Sequence, residues 1–89
     1  MSIAETQQDN SRQALRGFIL ENYLFTDDQA ALADDASFLD SGILDSMGIL
    51  ELIDFLDERF AIKVEGDELV PENLDSINSL LAFIASKQA

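Results

Sequence analysis

The sequence predicts an all-α fold: a small four-helix bundle, made of three main helices plus one short helix, with a long structured loop between the first two. Three observations predict it. Apolar residues recur at helical spacing in three separate stretches; no stretch sustains the strict alternation of a half-buried strand; and capping residues, Gly42 and Pro71 punctuate the chain between those stretches.

Residues 1–9 are polar and are expected to form a flexible tail, leaving residues 10–89 as a single domain. In "SRQALRGFILENYL", Leu15, Phe18, Ile19 and Tyr23 fall at i, i+3, i+4 and i+8, which predicts an amphipathic first helix. Gly17 inside it costs about 1 kcal/mol relative to Ala, and the sequence gives tolerance as the better explanation. From Phe25 to Asp45 no periodicity is sustained, apart from a turn or two of helix in "TDDQAALA" with Thr26 as the expected cap. A connection of this length in a small domain needs anchors, and Phe38, Leu39 and Ile43 supply them, with Gly42 free to turn the backbone.

"SMGILELIDFLDERF" predicts the second helix, with Ile49, Ile53, Leu56 and Phe60 as its apolar stripe and Leu50 and Leu52 widening it. Glu51, Asp54, Asp57 and Glu58 form the charged face, and Asp45 stands where an N-cap belongs. A short helical segment is expected around Asp67 to Val70, interrupted by Pro71. "LDSINSLLAFIASK" predicts the last helix, with Asp75 or Ser76 as cap, Ile77, Leu80, Leu81 and Ile84 inward, and Lys87 near its negative end.

With five Lys plus Arg against 18 Asp plus Glu, the net charge of −13 opposes binding to nucleic acid or to an anionic membrane and favours basic partners. All of the acids except Glu5, Asp9 and Glu21 lie between Asp27 and Asp75, where Arg59 and Lys63 are the only cations. The chain has neither Cys nor His, so a disulfide framework and the usual zinc sites are excluded. Asp27, Asp28, Asp34, Asp35 and Asp40 miss the spacing of a calcium loop, so no dedicated metal site is expected. The start "MSIAETQQDN" lacks the pattern of a signal peptide, which implies a cytoplasmic protein. At 47% hydrophobic residues with six Phe, the chain is too apolar to be an acidic disordered tail.

The candidate functional residue is Ser46, in "SGILDSMGIL". A hydrolytic serine takes its proton acceptor from histidine as a rule, and "LDSMG" lacks the first glycine of the nucleophile elbow, so no catalytic residue is assigned. On its own, Asp-Ser before an apolar run reads as a helix cap, and the chain could then be an acidic helical adaptor for a basic protein. Against that stands a hydroxyl at the mouth of a helix, delivered by an anchored loop, where the dipole favours an attached phosphate.

The stretch "FLDSGILDSMGILELIDFLDERFAIKV" resembles the acyl carrier protein family, including its peptidyl and aminoacyl carriers, and the resemblance extends over about residues 12–86. It implies that Ser46 carries phosphopantetheine installed from coenzyme A, that Asp45 is read by the phosphopantetheinyl transferase, and that the protein holds a thioester without being an enzyme. It further implies a docking surface at Met47 and Glu51, with Asp54, Asp57 and Glu65 as additions. The implied partners are that transferase, an acyl- or aminoacyl-activating enzyme, and downstream synthase, condensing or tailoring enzymes with basic docking patches. The pathways implied are of fatty-acid, polyketide or nonribosomal-peptide type, and nothing in the sequence calls for more than a monomer. Met47 departs from the Leu usual after the serine. Asp54 and Phe55 depart from the apolar and small residues common in fatty-acid carriers, and so resemble free-standing carriers of polyketide, nonribosomal-peptide or aminoacyl pathways, where a more polar lining would suit a short acyl or aminoacyl thioester.

Overall fold

A computed structural model describes residues 3–88 of the chain, with side chains from Asn10 onward. Helix α1 spans Ile3–Ile19, α2 Ser46–Phe60, α3 Pro71–Leu74 and α4 Ile77–Gln88. No strand occurs among the described residues, and the all-α expectation holds. The backbone of α1 begins well before the expected boundary at residue 10, while Met1 and Ser2 of the expected tail lie outside the described residues.

Leu15 and Ile19 are fully buried, as the spacing of the first helix predicts, whereas Phe18 and Tyr23 sit at its flank, partly exposed. Beyond Ile19 the chain continues as a wider turn over Leu20–Leu24 that ends at Phe25 in the left-handed region, φ 54°. Phe18 stacks on Phe55 of α2 at 4.3 Å between ring centroids, which fixes the two helices against each other.

The long connection is tied down by several groups. Arg16 donates to the Asp34 carboxylate at 2.6 Å, to the Gln29 carbonyl at 2.6 Å and to Gln29 Oε1 at 3.0 Å. Leu32, Phe38 and Leu44 enter the core. Two expectations are corrected here. Asp28, rather than Thr26, caps the single helical turn at Gln29–Ala31, because its carboxylate reaches Ala30 N–H while the Thr26 hydroxyl accepts from Asp28 N–H. The Leu39 side chain does not anchor the loop in the core. It is 45% exposed, and Leu44 fills the inward position in its place.

In α2 the inward line runs through Gly48, Leu52 and Leu56, while Ile49, Ile53 and Phe60 are half-buried and Leu50 is exposed. The apolar stripe is therefore rotated toward Leu52 from the one predicted. Pro71 does not interrupt a helix; it opens α3 at the first helical position, where its missing N–H has no partner to lose. The expected helical segment around Asp67 is a single turn over Gly66–Glu68. Ser76 caps α4, accepting from Ser79 N–H at 3.0 Å, which leaves Asp75 free for another task. Ile77, Leu80, Leu81, Phe83 and Ile84 complete the core.

Candidate functional site

Ser46 is the first residue of α2 and is exposed. Its position is set by neighbours on both sides. The Asp45 carboxylate accepts from Gly48 N–H at 2.9 Å and the Asp45 carbonyl from Ile49 N–H at 3.0 Å, so Asp45 is the cap and the Ser46 hydroxyl is not consumed in that role. Upstream, Gly42 turns the chain at φ 76°, where a side chain would be strained, and Leu44 N–H donates to the Phe38 carbonyl at 3.2 Å.

Asp75 ties this loop to the junction of α3 and α4. Its carbonyl accepts from Phe38 N–H at 2.8 Å, one carboxylate oxygen accepts from Leu39 N–H at 3.0 Å, and the other accepts a short hydrogen bond from the Ser37 hydroxyl. Gly48 lets the first turn of α2 approach the loop and the Leu20–Leu24 turn closely. A Cβ there would lie 3.0 Å from Leu44 Cδ2 and 3.4 Å from Tyr23 Cε1.

Beside Ser46 opens a surface groove of about 360 Å³ between α2 and the segment that leads into α3. Its walls are apolar: Leu39, Ile49, Leu50, Leu69, Val70 and Leu74. Leu39, Leu50 and Leu69, unusual as exposed large side chains, are thereby accounted for.

The residues singled out from sequence fall into two groups. Met47, Glu51 and Asp54 are exposed at i, i+4 and i+7 of α2 and form one ridge, with Met47 65% exposed. Asp57 follows on the same helix but pairs with Lys63 at 3.3 Å. Glu65 stands beyond α2, at the start of the Gly66–Glu68 turn, and is not part of the ridge. There Glu68 accepts from Glu65 N–H and from Lys87, and these two contacts, the backbone one first, hold its carboxyl below the usual glutamate range.

The sequence reading missed two participants. Asp75 anchors the loop from 36 residues away. Tyr23, counted as core, donates its hydroxyl to Glu51 at 2.9 Å, and its phenol is pushed up to about 12, first by burial and then by Glu51 and Asp45. Neither long-range pairing leaves a periodic signal. Among the described residues, no group of His, Cys, Asp or Glu could hold a metal ion, and no helix is long and apolar enough to cross a membrane.

Residues 24–84 match the family of the phosphopantetheine attachment site. The chain belongs to the family of phosphopantetheine-bearing carrier proteins. Two D-alanyl carrier proteins are similar to it. That of Streptococcus suis is 39% identical over 61 residues, covering 68% of this chain and 76% of its own. That of Streptococcus uberis is 35% identical over 65 residues, covering 73% and 81% respectively. As a carrier the protein is non-catalytic; its cofactor is covalent phosphopantetheine, and its partners include a transferase and activating enzymes. The chain is thus a carrier rather than an acidic helical adaptor for a basic protein. The site fits the group: an exposed hydroxyl at a helix N-terminus suits a phosphodiester, and an apolar groove beside it suits an extended arm.

Proposed function

We propose that Ser46 bears the phosphopantetheine arm and that the carrier presents a small aminoacyl group, of the D-alanyl kind, as a thioester to partner enzymes in the cytoplasm. The observation that carries the first part is the exposed Ser46 hydroxyl, first in α2 and beside the apolar groove, with helix capping already done by Asp45. The arm supplies the thiol that this cysteine-free chain lacks. Ser46 supplies the anchor, and the first turn of α2 places positive partial charge where the phosphate sits.

Small cargo is favoured by the names of the relatives and by the packing. The interior is filled by Phe38, Leu52, Leu56 and Leu80, all fully buried, and three exposed leucines place the groove at the surface. A short polar thioester can stay outside such a core, whereas a long acyl chain needs an apolar interior. The acids on and around α2 complete the reading: Asp45 at its cap faces the transferase, Glu51, Asp54 and Asp57 on the helix and Glu65 beyond it meet basic patches of partners, and Met47 offers them an apolar contact. Coenzyme A as the donor of the arm is what recommends the cytoplasm, and fractionation placing the chain elsewhere overturns that part.

The test is intact mass after incubation with coenzyme A and a phosphopantetheinyl transferase, with Ser46→Ala in parallel. One added phosphopantetheine on the original and none on folded Ser46→Ala is expected, and modification of the variant overturns the assignment. The holo form is then offered D-alanine, ATP and a D-alanine-adenylating enzyme. Loading that fails there but succeeds with a long-chain acyl donor overturns the aminoacyl reading.

A further inference from the structure

Tyr23 closes the Leu20–Leu24 turn that follows α1 against the start of α2, and only part of its side chain is needed for that. The ring packs edge-on against Phe18 at 5.7 Å and lies next to the bare Cα of Gly48. A phenylalanine would make both contacts. The hydroxyl is surplus to packing, and it donates at 2.9 Å to Glu51, a residue 28 positions away.

Asp45, Gly48 and Glu51 follow one another at three-residue spacing along one face of α2, so the phenol lies across Gly48 with an acid toward either end. Glu51 is exposed, and a free glutamate there would sample several rotamers. The Tyr23 hydroxyl engages Oε2, which leaves Oε1 open to an incoming donor.

We infer that Tyr23 is a positioning residue for partner docking: its hydroxyl holds the Glu51 carboxylate ready on the ridge of α2, for an arginine or lysine from the basic patch of an enzyme that handles the carrier. The inference rests on the docking face proposed above. The gain is preorganisation. A side chain ordered before encounter loses less rotamer freedom on binding, and for one long side chain that amounts to roughly two- to tenfold in affinity.

Tyr23→Phe, Glu51→Gln and the double variant are assayed as apo substrates of a phosphopantetheinyl transferase. Tyr23→Phe is expected to raise KM roughly two- to tenfold with kcat unchanged, and to leave the thermal midpoint within a few degrees. Glu51→Gln raises KM at least as much, and the double variant adds little to Glu51→Gln alone, because the hydroxyl acts through that carboxylate. The deficit of Tyr23→Phe shrinks at high salt, where charge-guided docking is screened; a purely structural role would not show this. If Glu51→Gln raises KM and Tyr23→Phe does not, positioning is overturned while docking at Glu51 stands. If Glu51→Gln leaves KM unaltered, the docking reading at that residue falls and the inference falls with it. Additive effects in the double variant also overturn it.

Discussion

Gly48→Ala tests the close approach that seats α2. In an isolated helix the change stabilises, since Ala exceeds Gly by about 1 kcal/mol. Here the new Cβ meets Leu44 Cδ2 at 3.0 Å, Leu44 Cβ at 3.3 Å and Tyr23 Cε1 at 3.4 Å. Leu44 is 3% exposed and has little room to swing away, and Tyr23 is held by Phe18 and Glu51. Overpacking of this kind costs about 1–3 kcal/mol, which outweighs the gain in propensity for a net loss of about 1 kcal/mol. In a domain of this size that lowers the melting temperature by about 4–8 °C.

Gly17→Ala is the matched control. It too lies within a helix, but a Cβ there meets nothing within 4 Å, so the expected change is a gain of about 0.5–1 kcal/mol. Urea unfolding followed by circular dichroism measures both. In a Leu44→Ala background the penalty of Gly48→Ala should shrink, because the atom at 3.0 Å has gone. The reasoning is refuted if Gly48→Ala is as stable as Gly17→Ala, since the neighbours of Gly48 then yield without cost.

Phe25→Gly should raise stability by about 1 kcal/mol, since Phe25 is 82% exposed and sits at φ 54°, where a side chain is strained; a fall in the urea midpoint contradicts this. Added NaCl or MgCl2 should raise the thermal midpoint by screening a net charge of −13, and a melt indifferent to salt counts against that repulsion. The Tyr23 phenol is raised from 10.0 to about 12 in the fold, so the unfolded chain releases this proton first as pH climbs. Its contribution is complete below pH 10 and declines as pH approaches 12; Tyr23→Phe should show a shallower alkaline loss of stability, and equal slopes speak against a phenol raised by burial and by Glu51.

What the sequence made legible was local. Apolar spacing located α1, α2 and α4, and Asp45 could be read as a cap because its bond to Gly48 spans three residues. Pro71 is ambiguous in the sequence because the same fixed φ that blocks a helix interior also suits a first turn, and only the capping geometry of Val70 separates the two. The outward side chain of Leu39 is not legible because a loop has no period from which to infer which side faces in. The bonds of Asp75 to Leu39 and of Tyr23 to Glu51 have no signal in the sequence for another reason: they join positions 36 and 28 residues apart, and such pairings exist only once the helices have packed.

The placement of cations bears on how the acids work. Among the described residues, the ion pairs fall on Asp34, held by Arg12 and Arg16, on Asp57 with Lys63, and on Glu68 with Lys87. Those pairs fasten the loop, the exit of α2 and the end of α4. None of them falls on Asp45, Glu51 or Asp54, which line the start and outer ridge of α2. Cations are scarce in this chain, and those that pair are used where segments must be tied down. The helix that begins with Ser46 therefore keeps its negative potential largely uncancelled, in a chain whose net charge already repels anions. Such a field attracts basic surfaces over about a Debye length, and its effect should appear in association rates at low salt more than in the lifetime of the complex. Asp45, Phe38, Leu44 and Asp75, which also tie the loop to the core, hold the exposed Ser46 hydroxyl at a fixed place within that field.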